Sequence, residues 1–373
     1  MTDISIDPGA HAVRVRWTDG AEASFPFLWL RDNCPSGYHP QTRERSFDLT
    51  GVPEHLAPAA VQAESGDLVI AWAQPAEGRA HVTQLPLDWL SVHRPGHRAP
   101  DPADIEPVLW RADLGVEGLP RADATALLSD DNALADWMRA TRQTGLSLVD
   151  GLAPDPDAGF EVARRIGFLR RTNFGTTFEV RSKPAPNNLA YTSERLPLHT
   201  DLPNQELPPG FQFLHCLENA ATGGGSEFCD GFAVASDLAR EAPEDFALLS
   251  RHAILFRFHD TNHDIRRRQR VIRLNEDGAV EEICFNAHLA EPFDLPGDVL
   301  GTYQLAYRRF MIRLRDPAYG LGLRLEPGQM AVFDNRRVLH GRAAFDPGSG
   351  ARRLRGCYVD RGEFDSRLRV LSR

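Results

Sequence analysis

The sequence predicts a mainly β protein with helical insertions, a jelly roll behind a smaller β-rich domain. Three observations carry that reading. From about residue 210 onward, short apolar or alternating runs follow one another: "GFQFLHCLE", "SEFCDGF", "HAILFRF", "QRVIRL", "EEICFN", "QMAVFDNRRVLHG" and "RRLRGCYVD". Helical periodicity is confined to a few segments, and no strand–helix–strand rhythm joins them, which argues for a sandwich or barrel over a doubly wound sheet. The first hundred residues also read as short paired strands, and the first 110 hold Trp17, Trp29, Trp72, Trp89 and Trp110, five of the six tryptophans. Bulky indoles help to fill the small interior of a domain that size.

Taken in order, "AVRVRWTDG" (12–20) alternates up to an Asp-Gly turn and "ASFPFLWL" (23–30) follows, the pattern of a hairpin. "LVIAW" (68–72) and "HVTQL" (81–85) read as a second pair, and no internal repeat is evident. "HRPGHRAPDPADIEP" (93–107) is proline-rich and aperiodic, the signature of a linker. The expected organisation is a β-rich domain over 1–95, a linker over 96–122 and a catalytic domain over 123–373. "SDDNALADWMRATRQTG" (129–145) has a capping start, apolar residues at helical spacing and a terminal glycine, so it is expected to be a helix. "LSLVDG" (146–151) reads as a buried strand, and two further helices are expected near 234–250 and 297–315.

A chain of 373 residues with 42% apolar content can bury a substantial core. Its net charge of −10 and pI of about 5.7 give no basic field for nucleic acid or an anionic membrane. The five scattered cysteines, an odd number, argue against a disulfide scaffold and for a reducing compartment. No apolar run has the length of a spanning helix, and the N-terminus lacks the pattern of a secretory signal. A soluble, cytoplasmic protein is the expectation.

The chemistry centres on "RLPLHTDLPN" (195–204), the only His-x-Asp/Glu triplet in the chain, with His199 and Asp201 two apart. Alone, such a pair is an ordinary polar turn. "AVFDNRRVLHGRAAF" (331–345) offers His340, on a strand ending in a turn. Distant strands of a jelly roll lie side by side, so the long separation permits a shared site. Two histidines and one carboxylate on one face suit non-haem Fe(II) and leave coordination positions open, although the same donors suit Zn²⁺. Arg352 lies twelve residues past His340 and can grip a carboxylate through two parallel hydrogen bonds. Ser226, in "TGGGSEF", adds a hydroxyl on a Gly-rich approach.

With these residues the chain resembles the 2-oxoglutarate/Fe(II) dioxygenases, and within them the gamma-butyrobetaine hydroxylase branch of the taurine-dioxygenase-like group. The matching stretches run from "FLWLRDNC" (27–34) through "RIGFLRRTNFG", "NNLAYTSERLPLHTD", "PPGFQFLHC", "GGGSEFCDGF" and "FDNRRVLHGR" to "RRLRGCYVD…SRLRVL". The resemblance implies a double-stranded β-helix (jelly-roll) catalytic domain and a homodimer. It assigns Fe(II) to His199, Asp201 and His340, and the far carboxylate of 2-oxoglutarate to Arg352 with Ser226. The implied reaction uses O₂, converts 2-oxoglutarate to succinate and hydroxylates a small trimethylammonium compound, gamma-butyrobetaine or a close analogue such as a trimethylammonio acid or phosphonate. Phe174, Phe178, Tyr191 and Tyr358 stand where the family builds an aromatic cage, and Asn188 is a further substrate-binding position. Phe174 and Phe178 replace richer rings of the best-known relative, and Leu202 follows the His-x-Asp where an aromatic is expected. "CFNAHLAEP" (284–292) lacks a second Asn and an Arg of that relative.

The resemblance also raises a structural zinc in the N-terminal domain, but a C-x-C-x-x-C run is replaced by "CPSGYH", leaving Cys34, His39 and the later His81 as three of four ligands. Other readings stay open: a dioxygenase of the same fold acting on a non-quaternary small acid, a catalytically silent jelly-roll binding protein, and a zinc hydrolase using the same triad.

Overall fold

A computed structural model describes residues 2–74, 80–181 and 189–373, and the chain divides into two compact units, 1–101 and 102–373. The first unit contains two antiparallel three-stranded sheets, Asp3–Asp7, Ala12–Arg16 and Glu22–Pro26, then Pro58–Glu64, Asp67–Trp72 and Val82–Pro86. Each sheet runs directly into a short helix, Phe27–Asp32 and Leu87–Val92. "FLWL" is therefore helical, not the continuation of a strand. Its buried apolar residues, Phe27 and Leu30, are three apart while Leu28 is exposed, which is helical spacing.

The two halves repeat one another, contrary to the sequence reading. "PFLWL" and "PLDWL" occupy equivalent turns, each entered through a proline at φ −58°. The Phe27 amide donates to the His11 carbonyl at 2.8 Å, and Leu87 to Gly66 at 2.9 Å. Trp29 and Trp89 meet with ring centroids 5.6 Å apart, and both halves feed one apolar core. Only five residues carry the resemblance, too few to stand out in a linear scan.

In the second unit, six strands form a mixed sheet in the order Arg121–Asp123, Leu146–Asp150, Met330–Asp334, Phe211–Asn219, Arg352–Val359 and Thr177–Val180. A second, antiparallel sheet contains Leu196–His199, Val338–Arg342, Ser226–Asp230 and Gly320–Leu323. This is the expected jelly-roll pairing of a larger and a smaller sheet. Alternation sorts the side chains: Phe211, Phe213, Met330, Val332, Cys357 and Val359 pack with residues of the helices Asp131–Thr144, Ala158–Ile166 and Arg361–Leu371. Ala331, Phe333, Leu354 and Cys216 face the other way and meet Phe228, Leu321 and Leu323 of the smaller sheet. Gln212, Leu214 and Tyr358 share that inward face and reach a cavity. Ala103, Trp110 and Leu119 are buried in the cores of this unit.

Residues 231–314 cover the smaller sheet with three helices, Gly231–Glu241, Pro243–Arg251 and Gly297–Leu314, packed through Phe232, Leu238, Leu249, Tyr303 and Phe310. The single helix expected near 234–250 is thus two. Pro243 lacks an amide proton, and Ala242, at φ −144°, ends the first helix before it. Likewise "QMAVFDNRRVLHG" is two strands, one in each sheet, with His340 in mid-strand instead of at a terminal turn. The polar 335–337 turn that separates the two strands is buried. Among the described residues all five cysteines are free and buried, and no helix is long and apolar enough to cross a membrane.

Candidate active site

His199 closes the Leu196–His199 strand and lies directly opposite His340 in the neighbouring strand. Gly341 makes that pairing possible, because a Cβ there would come within 2.6 Å of the Leu196 carbonyl oxygen. Asp201 follows two residues later, and one ligand atom from each of the three side chains lies within 4.8 Å of the others. The His199 Nδ1 sits 2.9 Å from the Pro197 carbonyl, which fixes that nitrogen as the donor and leaves Nε2 free. Nε2 is 3.2 Å from Asp201 Oδ1, and His340 Nε2 is 3.7 Å from Asp201 Oδ2.

Burial works to raise the Asp201 pKa, but His340, His199 and the Tyr358 hydroxyl outweigh it and hold the carboxyl well below the usual range. Burial, with His199 close by, pushes His340 down to about 3. One anionic and one neutral donor are therefore present at neutral pH, as metal ligation requires. The Tyr358 hydroxyl donates to Asp201 Oδ2 at 2.7 Å. His340 Nδ1 is buried with no hydrogen-bond partner among the described residues. The donor set of two imidazoles and one carboxylate fits Fe(II), and the residues present could hold it.

These side chains open on a cavity of about 560 Å³. Its lining includes every site residue expected from the sequence except Asn188, which lies outside the described residues: Phe174, Phe178, Tyr191, His199, Asp201, Ser226, His340, Arg352 and Tyr358. Arg352 begins its strand on the larger sheet and is buried; its Nε donates to the Gly224 carbonyl at 3.1 Å. No carboxylate pairs with it among the described residues. Burial, then the nearby Arg342, lowers its pKa to about 10. A buried guanidinium without a counter-ion is costly unless an anion joins it, so this end of the cavity suits a carboxylate. Arg353 pairs instead with Glu179, and Arg355 with Asp157 at 3.4 Å.

The aromatic positions divide. Phe178 and Tyr358 are 5.0 Å apart at 32°, while Phe174 packs edge-on against Phe258 at 5.3 Å. Phe178 reaches the cavity by lying across Gly356, where a Cβ would overlap its ring and come within 3.1 Å of Leu214. The sequence reading missed Gln212, Asn286 and His288, which also line the cavity. Gln212 carried a signal, as a lone amide in the apolar alternation of "GFQFLHC". His288 stands with its ring 6.4 Å from that of His199, and burial lowers its pKa. Cys34, His39 and His81 do not assemble as a metal-ligating group among the described residues. The Cys34 sulfur contacts the Ser36 hydroxyl at 3.1 Å, and His39 Nδ1 accepts from the Thr42 amide at 3.2 Å.

Fold and site together define a jelly-roll enzyme with a two-histidine, one-carboxylate centre. Residues 105–358 match the family described as taurine catabolism dioxygenase TauD, TfdA, and residues 4–91 match the gamma-butyrobetaine hydroxylase-like N-terminal family. The chain is 44% identical to a gamma-butyrobetaine dioxygenase of Pseudomonas sp. (strain AK-1), over 98% of this chain and 94% of that one. It is 30% identical to a mitochondrial trimethyllysine dioxygenase of Gallus gallus, over 93% and 83%. A crystal structure of a putative alpha-ketoglutarate-dependent taurine dioxygenase from Burkholderia xenovorans shares the fold, with a TM-score of 0.51 and 14% identity over 69% of this chain and 92% of that one. The chain belongs to the TauD, TfdA family of dioxygenases.

Proposed function

We propose that the protein is an Fe(II)/2-oxoglutarate-dependent dioxygenase that hydroxylates gamma-butyrobetaine. The observation that carries this reading is one cavity holding the His199, Asp201 and His340 group, a buried Arg352 with no carboxylate partner among the described residues, and the Phe178 and Tyr358 ring faces. Substrate choice rests on the relative at 44% identity, a gamma-butyrobetaine dioxygenase. His199, Asp201 and His340 hold the metal. Bound Fe(II) with 2-oxoglutarate supplies oxygen activation coupled to decarboxylation of the co-substrate to succinate. Arg352, assisted by Ser226, grips the distal carboxylate of 2-oxoglutarate and so fixes its orientation across the cavity. Phe178 and Tyr358, with Phe174, Tyr191 and Asn188, receive the substrate, the ring faces attracting its quaternary ammonium. Tyr358 has a second task, since its hydroxyl restrains the Asp201 oxygen that is turned from His199. The enzyme is proposed to act in the cytoplasm, in keeping with its free cysteines, and as a homodimer.

Succinate formation over a panel of trimethylammonium acids, each beside the isostere bearing a neutral tert-butyl group, tests this function. Turnover greatest with gamma-butyrobetaine and lost with its neutral isostere is expected. Equal turnover of the isostere would remove the cation-binding role, and preference for trimethyllysine would reassign the substrate.

A further inference from the structure

We propose that Asn335 is a positioning residue for the metal ligand Asp201, and that this amide sets metal affinity. The inference rests on the reading of Asp201 as a ligand. Asp201 lies two residues past the end of the Leu196–His199 strand, so its peptide groups have no strand partner. Buried peptide groups must nevertheless be paired. Asn335 does this with its side-chain amide. Its Oδ1 accepts from the Asp201 amide at 2.6 Å, and its Nδ2 donates to the Asp201 carbonyl at 3.1 Å and to the Pro209 carbonyl at 3.1 Å. The side-chain amide stands in for a strand's peptide unit, one acceptor and two donors all used. Asn335 is fully buried, and its own amide donates to the Gly210 carbonyl at 2.9 Å.

The need for such a clamp follows from the next residue. Leu202 holds φ +55°, a left-handed conformation rare for a bulky side chain and one that persists only when surroundings enforce it. On the other side, Thr200 is pinned by its amide to the Phe285 carbonyl at 2.6 Å. Asp201 is therefore held at its backbone by Asn335 and at its carboxylate by Tyr358. Asn335 also belongs to the 335–337 turn that leads into the Val338–Arg342 strand. One turn between the two sheets thus leads into the strand that delivers His340 by register and fixes Asp201 by a side chain, which sets the separation of the two ligands.

Manganese(II) titration of the metal-free protein, followed by electron paramagnetic resonance, tests this without turnover. Asn335→Asp keeps the size and the acceptor but sets a carboxylate oxygen against two carbonyls. Asn335→Ser provides a smaller alternative should the first variant fold poorly. Loss of an outer partner of a ligand typically costs ten- to a hundred-fold in metal affinity, and a loss of about that size is expected in both variants. Thr141→Val, which breaks the buried hydroxyl pair with Ser147, neither of which lines the cavity, measures what destabilisation alone does. Its metal affinity should be unchanged. Asp201→Ala should abolish tight binding. Loss in Asp201→Ala with wild-type affinity in the Asn335 variants would overturn the inference alone. A loss matched by Thr141→Val at equal melting temperature would overturn it too, and tight binding by Asp201→Ala would overturn both the inference and the ligand assignment beneath it.

Discussion

Replacing Arg352 with lysine keeps a positive charge in the cavity but removes the planar two-point grip. In the structure Nε is committed to the Gly224 carbonyl, which leaves the two terminal nitrogens for the co-substrate. A lysine can offer one of those two contacts. A hydrogen bond to a charged group is worth about 1.5–3 kcal/mol, so losing one should raise the KM for 2-oxoglutarate by about ten- to a hundred-fold. Burial adds a pH dependence. The same surroundings that lower the Arg352 pKa to about 10 would lower a lysine's also, from a smaller starting value. The variant's affinity should therefore improve as pH falls and the ammonium forms, whereas wild-type affinity stays flat. Steady-state succinate assays at several 2-oxoglutarate concentrations and pH values read both effects. An unchanged KM in Arg352→Lys, with a large effect on replacing Arg353 or Arg355, would refute the assignment, because those two side chains are paired elsewhere.

Alanine at His199, Asp201 or His340 should each abolish substrate-coupled succinate formation while circular dichroism stays that of the folded protein; near wild-type activity at saturating iron would remove that residue from the ligand set. Gly356→Ala should push the Phe178 ring out of its seat and raise the KM for a trimethylammonium substrate by up to about thirty-fold, the equivalent of a cation–π contribution of about 2 kcal/mol. The KM for 2-oxoglutarate should not move, and an unchanged substrate KM would show that the Phe178 face is unused. Tyr358→Phe keeps the ring and deletes the hydroxyl bond to Asp201, so metal affinity should weaken while substrate KM holds; the reverse pattern would make Tyr358 a cage residue only. His215 is buried with neither ring nitrogen partnered among the described residues, and burial, against an opposing effect of Asp155, lowers its pKa. Its contribution to stability is full above the unfolded value of about 6.5 and is lost as pH falls below it. The melting temperature of His215→Met should therefore decline less between neutral and mildly acidic pH than that of the wild type.

Much of the site was legible because its chemistry is carried by residue types with few other uses. A lone His-x-Asp, a distant His on a strand and an Arg twelve residues past it kept their identity through folding, and strand register brought His199 opposite His340. The fold class followed from apolar runs of strand length. What stayed hidden depends on tertiary surroundings. "FLWL" has a strand-like composition, yet it folds as a helix because Phe27 and Leu30 find one core. The 331–345 stretch reads as one strand, yet it turns at 335–337, where Arg337 is fully buried on Asp230 at 2.8 Å and Asn335 clamps Asp201. Gly356 looks like any strand glycine until Phe178 is seen lying across it. Gln212, Asn286 and His288 join the cavity only through strand alternation and a loop whose path no local pattern encodes.

The central claim is that oxidation of 2-oxoglutarate and hydroxylation of gamma-butyrobetaine are one event in this cavity. Incubation of the iron-loaded protein with both compounds under ¹⁸O₂, followed by mass spectrometry of both products, tests it directly. One labelled oxygen atom in the hydroxylated trimethylammonium product, one in succinate, and equal amounts of the two are expected. Succinate formed without a labelled hydroxyl on gamma-butyrobetaine, or a product oxygen drawn from water, would contradict it.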